Sequence, residues 1–190
     1  MLKYFDYISI VGTGFYVPDR IMTNFDLEKV VDTTDDWIRT RTGITERRIV
    51  KDSEATSDLA IKAGAIALKK AGITSKEIDL LIIATQSPDY PLPSTACVTQ
   101  HRLGLTNAVC FDISAACSGS IYALIVAASL MKTCNYNTAM IIGTDVLSKS
   151  VDWSDRNTCV LFGDGAGAMV LKMNIKGRNL LSFDWGTDGS

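Results

Sequence analysis

Two kinds of apolar pattern alternate along the chain. Short runs that are hydrophobic at nearly every position recur between longer segments in which hydrophobic residues fall every three or four places. Ile78-Asp79-Leu80-Leu81-Ile82-Ile83-Ala84-Thr85 and Ala139-Met140-Ile141-Ile142-Gly143-Thr144 are of the first kind, the mark of strands covered on both faces by helices. Ile8-Ser9-Ile10-Val11-Gly12 and residues 109–113 read as further strands, with Gly12-Thr13-Gly14 turning the chain after the first. A longer helix is predicted to open at Thr56 or Ser57, with Leu59, Ile61, Ala63, Ile66 and Ala67 on its packed side and Gly72 as its stop. Asn24 is the expected N-cap of a short helix through Val31. Thr34 caps another, with Asp35 and Asp36 in its first turn and Gly43 ending it, and Pro93-Ser94 leads into one that closes near Gly104. Residues 158–162 and 166–171 look like two strands joined through Gly163-Asp164-Gly165-Ala166-Gly167, and 180–185 like one more. The alternation predicts an α/β layered fold with a mixed sheet.

Between the strand at 109–113 and the next, Ser114-Ala115-Ala116-Cys117-Ser118-Gly119 opens a helix with hardly any polar face, from Ile121 and Ala123 through Leu124, Ile125 and Val126 to Leu130 and Met131. Such a helix is expected to be buried all round, which would put Cys117 at the bottom of a pocket reached through a channel. A thiol in the first turn of a helix faces unpaired N–H groups and the positive end of the helix dipole, a setting that favours the nucleophilic thiolate. The competing reading of Cys117 is a small buried hydrophobe, the usual role of free cysteine. Gly12-Thr13-Gly14 resembles the start of a dinucleotide fingerprint, but the third glycine is missing and Pro18 follows where a helix should run.

Composition narrows the function classes. The 190 residues are 47% hydrophobic, enough for one good-sized domain core. With 19 basic against 21 acidic residues the net charge is -2, so bulk electrostatics recruit neither nucleic acid nor an anionic membrane, and any anionic ligand falls to local arginines. Cys97, Cys110, Cys117, Cys134 and Cys159 show no C-x-x-C spacing and are accompanied by a single histidine, His101. Reduced thiols in a cytoplasmic protein are expected, with no zinc site. Met1-Leu2-Lys3-Tyr4-Phe5-Asp6 has no secretion-signal pattern, and the apolar stretch at 121–131 is too short to span a bilayer.

Four segments together resemble one family. Asp32-Thr33-Thr34-Asp35-Asp36-Trp37-Ile38-Arg39-Thr40-Arg41-Thr42-Gly43-Ile44, the Cys117 segment, the pair Asp155-Arg156, and Phe162-Gly163-Asp164-Gly165-Ala166-Gly167-Ala168 are similar, in order and register, to 3-oxoacyl-[acyl-carrier-protein] synthase III. The resemblance implies the thiolase-like fold, layered α-β-α-β-α, in which two βαβαβαββ halves pack sheet to sheet around central helices. It also implies the initiating condensation of type II fatty-acid synthesis. An acyl group passes from acyl-CoA, acetyl-CoA in the first instance, to a cysteine, and malonyl-acyl carrier protein then condenses with it by decarboxylation. On this basis Cys117 is the acylated nucleophile and its backbone N–H part of the oxyanion hole. Trp37 stacks on the adenine of coenzyme A, Arg41 and Arg156 lie around the same nucleotide, and Thr33 hydrogen-bonds the base. Leu147 and Phe162 line the acyl pocket, with Leu92 contributed across a homodimer interface. A leucine at that last position, where the family often has a bulky aromatic, implies a primer pocket not limited to acetyl. No cofactor or metal is implied, acyl-CoA being a substrate.

The family also uses a histidine and an asparagine from its second half, and no residue of this chain falls at either position; His101 matches none with a family role. The expectation is an N-terminal thiolase-like half at 1–175 followed by the start of a second half at 176–190, the remainder being a missing or separate segment, with the apolar side of the sheet and of the Cys117 helix left exposed. Two alternatives stand beside this reading: a thiolase-fold acyltransferase or starter synthase with another substrate, and a non-catalytic subunit.

Overall fold

The computed structural model describes residues 7–174 and 179–189. The N-terminal stretch 1–6 and the boundary expected between 175 and 176 lie outside the described residues. A five-stranded sheet is built from β1 (Ile8–Tyr16), β4 (Leu80–Ala84), β5 (Val109–Ile113), β6 (Thr138–Val146) and β7 (Asp164–Met173), in the order β1-β7-β6-β4-β5. β4 runs parallel to both β5 and β6, whereas β7 is antiparallel to β6 and β1. A separate hairpin pairs β2 (Arg20–Thr23) with β3 (Glu46–Ile49). The helices are α1 (Asn24–Leu27), α2 (Asp35–Thr42), α3 (Thr56–Ala71), α4 (Thr95–Leu103), α5 (Gly119–Thr133) and α6 (Arg156–Cys159). Leaving out the hairpin and the helices around it, the order is βαβαβαββ. The described residues thus supply one sheet with helices on both faces.

Period-two alternation divides the core. Leu81 and Ile83 of β4, with Met140 and Ile142 of β6, meet Leu59, Ala63 and Ala67 of α3 on one face. Leu80 and Ile82, with Ala139 and Ile141, meet Ala123, Ala127 and Met131 of α5 on the other. All five residues of β4 are buried, and each Leu or Ile among them contributes about 1.5–3 kcal/mol relative to exposure. The run that is apolar at every position therefore lies beneath helices from both sides.

Several elements differ from the sequence reading. Gly12 and Gly14 do not turn the chain; β1 runs through both, because α3 crosses so closely that a Cβ on Gly12 would stand 2.6 Å from the Ala67 carbonyl oxygen, and one on Gly14 would strike Ala63 O and Ala67 N. Thr23, not Asn24, caps α1, and that helix ends at Leu27. Asn24 is instead buried, donating to Asp35 Oδ1 and Ile44 O at 2.8 Å each and accepting from Arg47. Ile66 of α3 is exposed, and Ala60, Gly64 and Leu68 take the packed side. Residues 158–162 form no strand, since Asp155 accepts from Asn157 N and Thr158 Oγ1 and so caps the short helix α6. Residues 180–185 form no ladder; the added edge is one bridge, Asn179 beside Ser9, with Leu180 N donating to Ile8 O at 2.9 Å. α5 is not buried all round. Gly119, Ala123, Ile125, Ala127, Ala128 and Met131 face the sheet, while Ile121 is 53% exposed. Together with the turn before it, this helix extends over Ala116–Thr133, long and apolar enough by length and composition to cross a membrane, so the shorter span assigned above is corrected; its buried stripe packs against β4 and β6.

Candidate active site

Cys117 stands one turn ahead of α5, in the 3-10 turn Ala116–Ser118, and its side chain is exposed rather than at the end of a channel. The turn is strained: Ala116 has φ +45°, a left-handed conformation that costs a non-glycine residue about 1 kcal/mol or more. Neighbouring groups hold it there. With its amide oriented to satisfy both neighbours, Gln86 accepts from Ala116 N at 2.7 Å and Ala115 N at 3.1 Å. Gln86 N in turn donates to Asp145 Oδ1 at 2.7 Å, an oxygen that also receives Thr85 Oγ1, Ser87 N and Ser87 Oγ. Two strand ends, β4 through Gln86 and β6 through Asp145, therefore fix the backbone that presents the thiol. The carboxyl ends of parallel strands are where open α/β sheets place their ligands.

A cavity of about 520 Å³ opens beside Cys117, lined among others by Gly143, Asp145, Leu147, Gly165 and Gly167. A Cβ on Gly167 would meet nothing within 4 Å, so a side chain there would occupy this space. Leu147 also borders an adjoining cavity of about 260 Å³ that Phe162 lines. The loops between them are tied by the buried carboxylate of Asp164, which accepts from Val50 N at 2.8 Å, Ser148 N at 2.9 Å and Ser148 Oγ at 2.6 Å. Of the three expected acyl-pocket residues, Leu147 and Phe162 are brought together. Leu92 stands apart, 86% exposed, at the entry to α4.

Trp37 lies in the first turn of α2, where Thr34 Oγ1 accepts from its backbone N–H at 3.1 Å. One side of the indole packs on the small core of Leu27, Ile38, Cys159 and Val160. Arg41, one turn further along α2, holds its guanidinium carbon 4.4 Å from the ring centroid, and Arg156 of α6 holds its own at 4.8 Å. Arg156 Nη1 donates to Asp32 O at 3.1 Å. Hydrogen bonds from Thr158, then Asn157, hold the adjacent Asp155 carboxyl below the usual carboxylate range. Among the described residues neither Arg41 nor Arg156 forms an ion pair. A flat apolar face beside two uncompensated guanidinium groups suits a ligand that joins an aromatic base to phosphate. Thr33 Oγ1, next to Asp32, is shielded from solvent without a hydrogen-bond partner.

The family described as 3-oxoacyl-[acyl-carrier-protein (ACP)] synthase III matches residues 111–189. The beta-ketoacyl-[acyl-carrier-protein] synthase III of Geobacillus kaustophilus is 54% identical over 182 residues, 96% of this chain and 59% of that protein. That of Clostridium acetobutylicum is 54% identical over 183 residues, 96% of this chain and 56% of its own length. The chain belongs to the 3-oxoacyl-[acyl-carrier-protein] synthase III family. Solved synthase III structures agree: that from Pseudomonas aeruginosa superposes with TM-score 0.90 at 39% identity, covering 96% of this chain and 57% of that one. The one from Aquifex aeolicus superposes at 0.84 with 52% identity, covering 87% and 53%. The fold is thus the thiolase-like fold of synthase III enzymes, and the chain spans somewhat over half the length of the curated synthase III relatives it matches. The sequence singles out Cys117 and the Trp37 cluster but does not point to Gln86, Asp145, Asp164 or the open side of Gly167. The signal available for the first two was their place just past or at the carboxyl end of a predicted parallel strand.

Proposed function

We propose that this chain carries the acyl-transfer site of a synthase that starts fatty-acid chains. The Cys117 thiol gives up its proton and attacks the carbonyl of an acyl-CoA, a C–S bond forms, the bond to the coenzyme A sulfur breaks, and the departing coenzyme A thiolate takes up that proton. Trp37, Arg41 and Arg156 receive the adenine and phosphates, with Thr33 as a hydrogen-bonding partner for the base, and Cys117 N–H stabilises the developing oxyanion. In the second step malonyl-acyl carrier protein loses carbon dioxide. Its carbanion attacks the acyl-Cys117 thioester, releasing 3-oxoacyl-carrier protein and regenerating the thiol. That step needs donors for the enolate oxygen, and no described residue falls at the family's histidine or asparagine position; we assign both to a further segment of the synthase. We further propose a homodimer in which Leu92 closes the partner's acyl pocket, a cytoplasmic location in keeping with five free thiols, and no resident cofactor. The observation that carries the reading is the strained, doubly tethered turn that presents Cys117 at the rim of the 520 Å³ cavity.

The test is intact-protein mass spectrometry after incubation with acetyl-, isobutyryl- and hexanoyl-coenzyme A. One acyl group per chain, lost in Cys117→Ala, is expected, with acceptance of more than the acetyl primer. Acylation that survives Cys117→Ala would refute the assignment; acceptance of acetyl alone would refute the wider pocket. The solved structure of a priming ketosynthase from a polyketide pathway, 34% identical with TM-score 0.85, keeps a starter synthase of other primer choice as the second reading, and the same primer series decides it.

A further inference from the structure

We infer that Cys97 and Cys110 form a thiol–disulfide exchange site, separate from Cys117, that a low-molecular-weight disulfide converts into a cross-link between α4 and β5. The two sulfurs lie 3.6 Å apart, with Cys110 Sγ donating to Cys97 Sγ. Cys97 sits in the first turn of α4 and its sulfur also accepts from Ser94 Oγ at 3.1 Å. Its exposure makes it the sulfur that a disulfide in solution reaches first, whereas Cys110 is partly covered by the packing of α4 on β5. Burial, then the contact with Cys97, pushes the Cys110 thiol up to about 11, which keeps Cys110 protonated and leaves the first attack to Cys97; its resolving role rests on its position 3.6 Å from the Cys97 sulfur. The backbone on the two sides is tied together. Asp112, two residues beyond Cys110, accepts from Thr95 N at 2.8 Å and Ala96 N at 2.7 Å at the start of α4. Closing the bridge brings the sulfurs from 3.6 Å to a bond of about 2 Å.

The chemistry balances without any other reagent. The Cys97 thiolate attacks one sulfur of the small disulfide, giving a mixed disulfide and one released thiolate; Cys110 then attacks the Cys97 sulfur and expels the second. Two protein thiols are oxidised, two small thiols are formed, and the two cysteine protons end on them.

The experiment treats the chain with oxidised glutathione, then alkylates and maps peptides by mass spectrometry. The expected result is a chain lighter by two hydrogens, a single cross-linked peptide pair carrying Cys97 and Cys110, and loss of two of the five free thiols. In Cys110→Ser the glutathione adduct should persist on Cys97, and in Cys97→Ser no internal cross-link should form. A lasting adduct on Cys97 in the unsubstituted chain, no reaction at Cys97, or cross-links shared equally with Cys117 and Cys134, would overturn the proposal. Since Cys117→Ala leaves the pair untouched, the outcome is independent of the acyl-transfer reading.

Discussion

At the level of single residues, the indole of Trp37 does two jobs that the sequence alone sets against each other. It is part of a small core, and it is also a platform on which two guanidinium groups rest. If the proposed coenzyme A site is right, Trp37→Ala weakens coenzyme A binding by about tenfold to thirtyfold, read by calorimetric titration, while leaving the free Cys117 thiol open to alkylation. What was legible here is the cluster itself: Trp37, Arg41 and Arg156, singled out from the chain, stand together, Arg41 at 4.4 Å and Arg156 at 4.8 Å from the ring. The posture of Cys117 was not legible. The left-handed Ala116 is held by Gln86, a residue 30 places upstream whose role depends on two strand ends converging. No local pattern carries that information.

Elements were predicted well where one physical cause acts alone. The cap Thr34, the left-handed stop Gly43 and the buried run of β4 all appear as read. Where a tertiary contact competes, the reading failed: Gly12 and Gly14 look like a turn but are there to let α3 approach β1. Gly14→Ala should therefore cost about 2 kcal/mol, seen as a lower urea midpoint with unchanged slope, because the backbone of α3 cannot yield as a flexible side chain would. The start of α3 makes a second case. Folding strips solvent from Asp58, which on its own raises the carboxyl, but the Ala55 N–H and Arg102 prevail and hold it below its ordinary value. A depressed folded value means that the stabilisation exists above the unfolded value and fades as pH falls through the folded one. Asp58→Asn should thus lower Tm at pH 7 by about 2–4 °C, and the gap from the unsubstituted chain should close in melts below about pH 4.

For the whole molecule, the alternation of apolar runs fixed the class of fold but not the order of its strands. The parallel trio β4, β5 and β6 fits the helices that connect its strands, whereas the place of β1 beside β7 could not be read from either strand. β5 lies at one edge of the sheet with Val109 51% exposed, and Leu92, at the entry to the helix α4 that packs beside it, is 86% exposed. If these belong to a homodimer, sedimentation velocity should return twice the 20.6 kDa chain mass, and Leu92→Asp should shift the distribution toward the single mass. At the other edge, β1 pairs with β7 from Ile8 opposite Met173 to Tyr16 opposite Ala166. This pairing joins the first and last strands among the described residues, at a sequence separation where loop closure is costly and folding correspondingly slow. The cavity beside Cys117 takes residues from both strands. Synthesis therefore completes the nucleophile and its helix well before β7 emerges to finish the hollow, and on the proposed reading the onset of reactivity toward a thioester reports the moment at which β1 finds β7.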